Sequence, residues 1–201
     1  MYFVRTPYLI SKLFSRIVWN FPAAVNTIYM TFDDGPHPEI TPWILALLRN
    51  YQAKATFFCL GKSAEEYPGL ITQILNEGHS IGNHSHTHLN GWRTANEDYL
   101  QDIENANRIV KSSLFRPPYG RITLAQLKQL SSTYKVINWS LMPGDFDESI
   151  TSAQCLQNLQ KAQGGDIIVL HENDKSRKHL EYSLPLFFER NNRFIFDKIN
   201  F

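Results

Sequence analysis

Cysteine is scarce, with only Cys59 and Cys155 in 201 residues. They lie far apart in apolar surroundings, so buried small hydrophobes are a simpler reading than a disulfide framework. An excess of one charge is also missing. The formal net charge is +1, which excludes the strong basic field of a nucleic-acid binder, and no nucleic-acid partner is expected. No uninterrupted apolar run reaches membrane-spanning length. The N-terminal stretch MYFVRTPYLISKLFSRIVWNFP is apolar, but Arg5, Pro7, Lys12 and Arg16 break it, and no small-residue cleavage site follows. A cytoplasmic location is therefore the expectation. Linkers, low-complexity segments and fixed-period repeats are absent too. One domain is expected over 27–201, with residues 1–26 as an N-terminal segment packed on it. The competing reading of that segment is a basic amphipathic helix touching a membrane surface.

What is present is a globular composition, 43% hydrophobic, and a repeating pattern. Seven apolar, β-branched-rich stretches read as buried strands: 27–32, 54–61, 79–83, 114–118, 135–141, 166–171 and 193–199. Helical patterns lie between them. One starts at Thr41-Pro42; Ser63 with Glu66 and Thr94 with Glu97 form capping-box patterns before two more. Further helices fit 123–131, 151–162 and 177–190, and Gly164-Gly165 reads as the stop of the second of these. Strands alternating with helices argue for a parallel α/β sheet, either open and doubly wound or closed as an irregular barrel.

In such folds the reactive rim lies at the carboxyl ends of the strands. Asp33 and Asp34 follow the first strand, His84, His86 and His88 the third, Arg116 and Tyr119 the fourth, Asp145 and Asp147 the fifth, and His171 ends the sixth. Titratable groups thus gather on one rim. His84 and His88 are spaced i, i+4, and two imidazoles with one carboxylate suit a divalent zinc, cobalt or nickel ion with a position left open. Asp33 and Asp34 within MTFDDGPHP repel unless something offsets them. A cation on one and an arginine near the other would do so, while Asp-Gly-Pro supplies a turn that holds both. RPPYG, pinned by two prolines, would place Arg116 and the Tyr119 N–H rigidly.

TFDDGP, HSHTH, RPPYG and IVLHEN, in that order, resemble the motif series of the NodB-type polysaccharide deacetylases, carbohydrate esterase family four. The resemblance runs from about Thr27 to the C-terminus. It implies a distorted (β/α)7 barrel. It also implies removal of acetyl groups, mostly N-acetyl, from an acetylated glycan or amino-sugar substrate, with one divalent metal, often zinc. Carried over by motif position, Asp34, His84 and His88 would bind the metal and Asp33 would be the general base, with Arg116 holding its charge. The Tyr119 N–H would serve the oxyanion, His171 would be the general acid, and Leu170 would line the acetyl pocket. The chain departs from the pattern at MPGDF. There Met142 stands for the aspartate expected to orient His171, leaving Asp145 or Asp147 to substitute, and Phe146 stands for tryptophan as the apolar wall. Glu172 also replaces the commoner aspartate after His171. Two other readings compete: an amidohydrolase-like metal hydrolase of a small molecule, using the H-x-H spacing in HSH or HTH, and a glycan-binding homologue without turnover. Trp43, Trp92, Trp139 and Phe146 are candidate sugar platforms, and His37 and Asn90-Gly91-Trp92 candidate substrate contacts.

Overall fold

Alternation of side chains along the strands builds a sheet with two unlike faces. The computed structural model describes residues 2–22 and 26–201. Its strands are β1 (Thr27–Asp33), β2 (Ala55–Cys59), β3 (Ser80–Asn83), β4 (Leu114–Phe115), β5 (Lys135–Val136), β6 (Ile167–His171) and β7 (Ile195–Phe196). All pair in parallel, in the order β5-β4-β3-β2-β1-β6, with β7 beside the first two residues of β1. One face carries Ile28, Met30, Phe32, Phe57, Ile168 and Leu170 into a core shared with Ile44, Leu48, Leu184 and Phe187. Those last residues come from α2 (Ile40–Asn50) and α8 (Asp174–Arg190). Full burial of each large apolar side chain there contributes about 1.5–3 kcal/mol. The residues between them, Thr31, Asp33, Ile167 and His171, turn to the concave side.

The remaining helices are α1 (Tyr8–Leu13), α3 (Gly61–Glu66), α4 (Pro68–Asn76), α5 (Asn96–Val110), α6 (Leu124–Leu130) and α7 (Ser152–Leu159). None in the described residues is long and apolar enough to cross a membrane. The curled sheet is open between β5 and β6, and two stretches of chain bridge it. Leu141 pairs in parallel with Ile168, while Val18 pairs with Ile137 and Asn20 with Asp166. The described part of the N-terminal segment is thus built into the barrel wall. Phe14 and Trp19 pack against the cluster of Tyr99, Ile103, Phe115 and Leu127 under the helices, and Val18 and Phe21 against Phe58, Ile137 and Ile167.

Several local expectations are corrected. The fifth strand stops at Val136 rather than running to 141, because the carbonyls of Ile137 and Asn138 accept from the Arg116 guanidinium instead of a sheet neighbour. The fourth stops at Phe115; Pro117 and Pro118 carry no N–H for a ladder, and a 3₁₀ turn follows at Pro118–Gly120. Ser63 lies inside α3, not at its start, and Thr94 donates to the Asn90 carbonyl while Ala95 occupies the N-cap of α5. The capping boxes that do form are Thr123 with Gln126, Thr151 with Gln154, and Asn173 with Ser176. The helix ahead of Gly164-Gly165 ends earlier, at Leu159. Cys59 and Cys155 are free and buried, as expected.

Candidate metal and catalytic centre

Asp33 ends β1, and the chain then turns sharply. Asp34 takes a left-handed φ of 77°, a conformation short polar residues tolerate better than most. Gly35 follows where a Cβ would sit 2.0 Å from Glu172 Oε2, so a larger residue would have to push the buried Glu172 carboxylate aside. This turn splits the adjacent aspartates. Asp33 is 2% exposed, and its Oδ1 accepts from Arg116 Nη1 at 2.7 Å. Asp34 projects Oδ1 toward His88 Nε2 at 3.4 Å and His84 Nε2 at 3.7 Å, and its Oδ2 accepts from Asn173 Nδ2 at 2.9 Å.

His84 follows β3 and pairs its Nδ1 with the Arg116 carbonyl at 2.8 Å. That contact places the proton on Nδ1 and leaves Nε2 unprotonated toward Asp34. His88 sits at φ 61° after Ser85 at φ 65°; the Ser85 hydroxyl accepts from the His88 N–H, and Asp102 accepts from the N–H groups of His86 and Thr87. The loop is over-determined, so two non-glycine residues are held in a costly backbone region. Ligand atoms of Asp34, His84 and His88 lie within 4.8 Å of one another. Burial, then the neighbouring His84, lowers the His88 pKa to about 4 against the pull of Asp34 and Asp33. For Asp34, burial opposes ionisation, but His171, His84, His88 and the Asn173 hydrogen bond together bring its pKa below the usual value. A neutral imidazole and an ionised carboxylate are the forms a metal needs. Two nitrogens and one oxygen, with their free side on a cavity, fit a catalytic divalent ion such as zinc.

Arg116 is fully buried beneath this set. Its Nη1 also donates to Thr31 Oγ1 at 2.7 Å, Nε to the Ile137 carbonyl and Nη2 to the Asn138 carbonyl, and its plane lies 4.1 Å from the Phe58 ring centroid. Opposite, the His171 backbone N–H donates to Asp145 Oδ2 at 2.7 Å, and Nδ1 donates to the same carboxylate at 3.2 Å. Burial alone would lower the His171 pKa, but Asp145, then Asp34 and Asp33, raise it to about 9. Asp145 therefore provides the carboxylate that Met142 lacks. Asp147 instead accepts from Ser149 in an exposed turn.

A cavity of about 410 Å³ joins these groups, lined by Asp33, Asp34, His84, His88 and His171 on one side and by Tyr2, Trp139, Met142 and Phe146 on the other; Tyr119, Arg121, Asn173 and Lys175 complete it. Tyr119, at φ 60°, rests its ring edge-on to His88 at 4.5 Å, while Gly120 and Arg121 donate the turn's hydrogen bonds. Leu170 is not part of the cavity lining: alternation along β6 turns it into the helix-facing core, and Val169 shares the His171 side. His86 turns away from the ligand set; its buried Nδ1 has no partner among the described residues. Trp43, Trp92 and His37 lie outside the lining, and His37 Nδ1 accepts from the N–H groups at the start of α2. Thr31 and Asn173 were not among the expected site residues. The first is legible as the residue two before Asp33 on the same strand face, the second as the N-cap of α8.

Comparison with known proteins agrees with this geometry. Residues 22–135 match the family model for polysaccharide deacetylase. The chain is 36% identical to a Bacillus cereus peptidoglycan-N-acetylglucosamine deacetylase over 171 residues, 80% of each protein. It is 35% identical to an Azorhizobium caulinodans chitooligosaccharide deacetylase over 155 residues, 73% of this chain and 74% of that protein. The crystal structure of the Bc1960 peptidoglycan N-acetylglucosamine deacetylase superposes with a TM-score of 0.83 at 28% identity, covering 96% of this chain and 95% of the other. A match over more than half the chain, with relatives above 30% identity along most of their length, places this protein in the polysaccharide deacetylase family.

Proposed function

We propose that this carbohydrate deacetylase hydrolyses the N-acetyl group of an amino sugar within a glycan, with zinc as the resident ion at Asp34, His84 and His88. The observation that carries the reading is the division of labour between Asp33 and Asp34. One carboxylate is tied to a buried arginine and the other faces two imidazoles. When bound, the divalent ion supplies Lewis acidity that brings the pKa of water toward neutrality. Asp33 keeps Oδ2 free on the metal side, 3.9 Å from His84 Nε2, and takes the proton of the attacking water. Arg116 holds that carboxylate still and balances its charge. The Tyr119 N–H donates to the oxygen that becomes negative; one such donor typically contributes roughly 10²–10³ in rate.

The amine must gain a proton before it leaves. His171 supplies it from Nε2, since Asp145 occupies Nδ1–H and the raised pKa keeps the ring protonated at neutral pH. The products are acetate and a free amino sugar. Glu172, behind the Asp34 turn, is pushed up to about 8 by burial and by Asp34 and Asp33 against its Thr41 hydrogen bond, so it adds no third negative charge near neutral pH. The amidohydrolase-like alternative is disfavoured because the ligands come from the ends of β1 and β3 and skip His86, so no H-x-H pair is used. Binding without turnover is disfavoured because Asp33 and His171 both stand ready at the cavity. The test is acetate release from N-acetylglucosamine oligomers and peptidoglycan fragments, measured with metal content on the same sample. Turnover that tracks zinc occupancy supports the reading; a metal-loaded protein releasing no acetate from either class refutes it.

A further inference from the structure

The apolar side of the catalytic cavity contains a residue from outside the barrel strands. Tyr2 packs its ring 5.2 Å from Phe146, and Phe146 lies edge-on 5.0 Å from the His171 ring. The three form a continuous wall from the N-terminal segment to the proton donor, and Trp139 and Met142 flank it.

Two independent features hold Tyr2 there. Residues 4–6 run along residues 139–142. Val4 O accepts from the Met142 N–H at 2.8 Å, the Thr6 N–H donates to Ser140 O at 3.0 Å, and the Thr6 hydroxyl donates to Trp139 O at 2.7 Å. Between them Arg5 clamps both oxygens of Asp166 at 2.9 Å. The loop of Asp145 and Phe146 is shaped around the tyrosine as well. Gly144 adopts a φ of 90°, and a Cβ there would fall 2.1 Å from Tyr2 Oη. Glycine is needed at that position both for backbone conformation and for the approach of the phenol. Burial, then the Asp147 carboxylate, pushes the hydroxyl up to about 12, so it stays neutral.

We propose that Tyr2 is a specificity-determining residue that sets the depth of the acyl pocket and restricts the reaction to acetyl over longer acyl groups. The assignment rests on the deacetylase reading: with the carbonyl oxygen toward the metal side and the amine toward His171, the acyl methyl meets the apolar wall. Phe146 is the inner layer of that wall and Tyr2 the layer that stops it from yielding. One added methylene in such a pocket is worth roughly 10–200-fold in selectivity.

The experiment compares kcat/KM on N-acetyl and N-propionyl glucosamine oligomers for the metal-loaded full chain, followed by amine release. Tyr2→Ala is expected to raise the propionyl-to-acetyl ratio about tenfold or more, and Tyr2→Phe to leave it within about twofold, because the ring and not the hydroxyl forms the wall. A purely structural role would lower both rates together and leave the ratio unmoved. An unchanged ratio in Tyr2→Ala with acetyl turnover present overturns the proposal. If that variant does not fold, Tyr2→Leu carries the same test, and an unchanged ratio there overturns it equally. A wild-type chain that cleaves neither substrate removes the deacetylase reading itself, and this inference falls with it.

Discussion

Replacement of Arg116 by methionine tests the centre from below. The guanidinium is fully buried and makes four hydrogen bonds, to Asp33, Thr31 and the carbonyls of Ile137 and Asn138. Methionine fills part of the volume between Phe58 and Trp139 but satisfies none of these partners. The largest cost is Asp33, left nearly inaccessible with no countercharge; breaking a buried pair from one side typically costs about 3–5 kcal/mol. The carbonyls of Ile137 and Asn138 are orphaned as well, each at a cost on the order of 1 kcal/mol once water enters, whereas Thr31 keeps its donation to the Ile168 carbonyl. A total of about 5–7 kcal/mol is a large share of the roughly 5–15 kcal/mol that stabilises an ordinary domain. The assay is urea unfolding of wild type, Arg116→Met, Asp33→Asn and the double variant, each in chelator to remove metal binding from the comparison. The double variant is expected to be more stable than Arg116→Met alone, because the stranded charge is gone, with a coupling energy of about 2 kcal/mol or more. Strictly additive losses, or an Arg116→Met variant within about 1 kcal/mol of wild type, would refute the claim that Arg116 exists here to hold Asp33.

Asp33→Asn is expected to retain metal stoichiometry and lose about 10²-fold or more in turnover, whereas His84→Ala loses the metal; elemental analysis beside acetate release separates the two. Asp145→Asn removes the first upward influence on the His171 pKa. The alkaline limb of the kcat/KM profile, where the acid loses its proton, should therefore move to lower pH; an unmoved limb would dissociate Asp145 from the proton donor. His79 is buried and neutral, accepting from the Ala55 N–H at 3.2 Å, and burial followed by Lys54 lowers its pKa from 6.5 to about 4. The unfolded chain takes up that proton first, so metal-free wild type should lose stability as pH falls from 6.5 toward 4. In chemical denaturation, the gap between wild type and His79→Gln should narrow over that window.

The parts of the site that could be read from sequence are those fixed by strand periodicity, and the parts that could not are those fixed by contacts between distant loops. An apolar run that ends in a titratable residue places that residue on the carboxyl rim whatever the neighbouring chain does. This is why Asp33, Asp34, His84, His88 and His171 were found together. The same rule, applied with its period of two, would have separated Leu170 from the cavity, since it alternates with His171. Asp145 is a different case. Its position relative to the missing aspartate at 142 says nothing by itself about orienting a histidine. What brings its carboxylate back to the end of β6 is the turn at Gly144, and what fills the turn is Tyr2, over a hundred residues earlier in the chain. Short strands were overestimated for a related reason. Backbone carbonyls after β5 that a periodicity argument assigns to a ladder are taken by Arg116, a group no local pattern can anticipate. The departures from regular structure thus fall where the barrel gives up sheet hydrogen bonds to hold a charge, which is also where the chemistry is located.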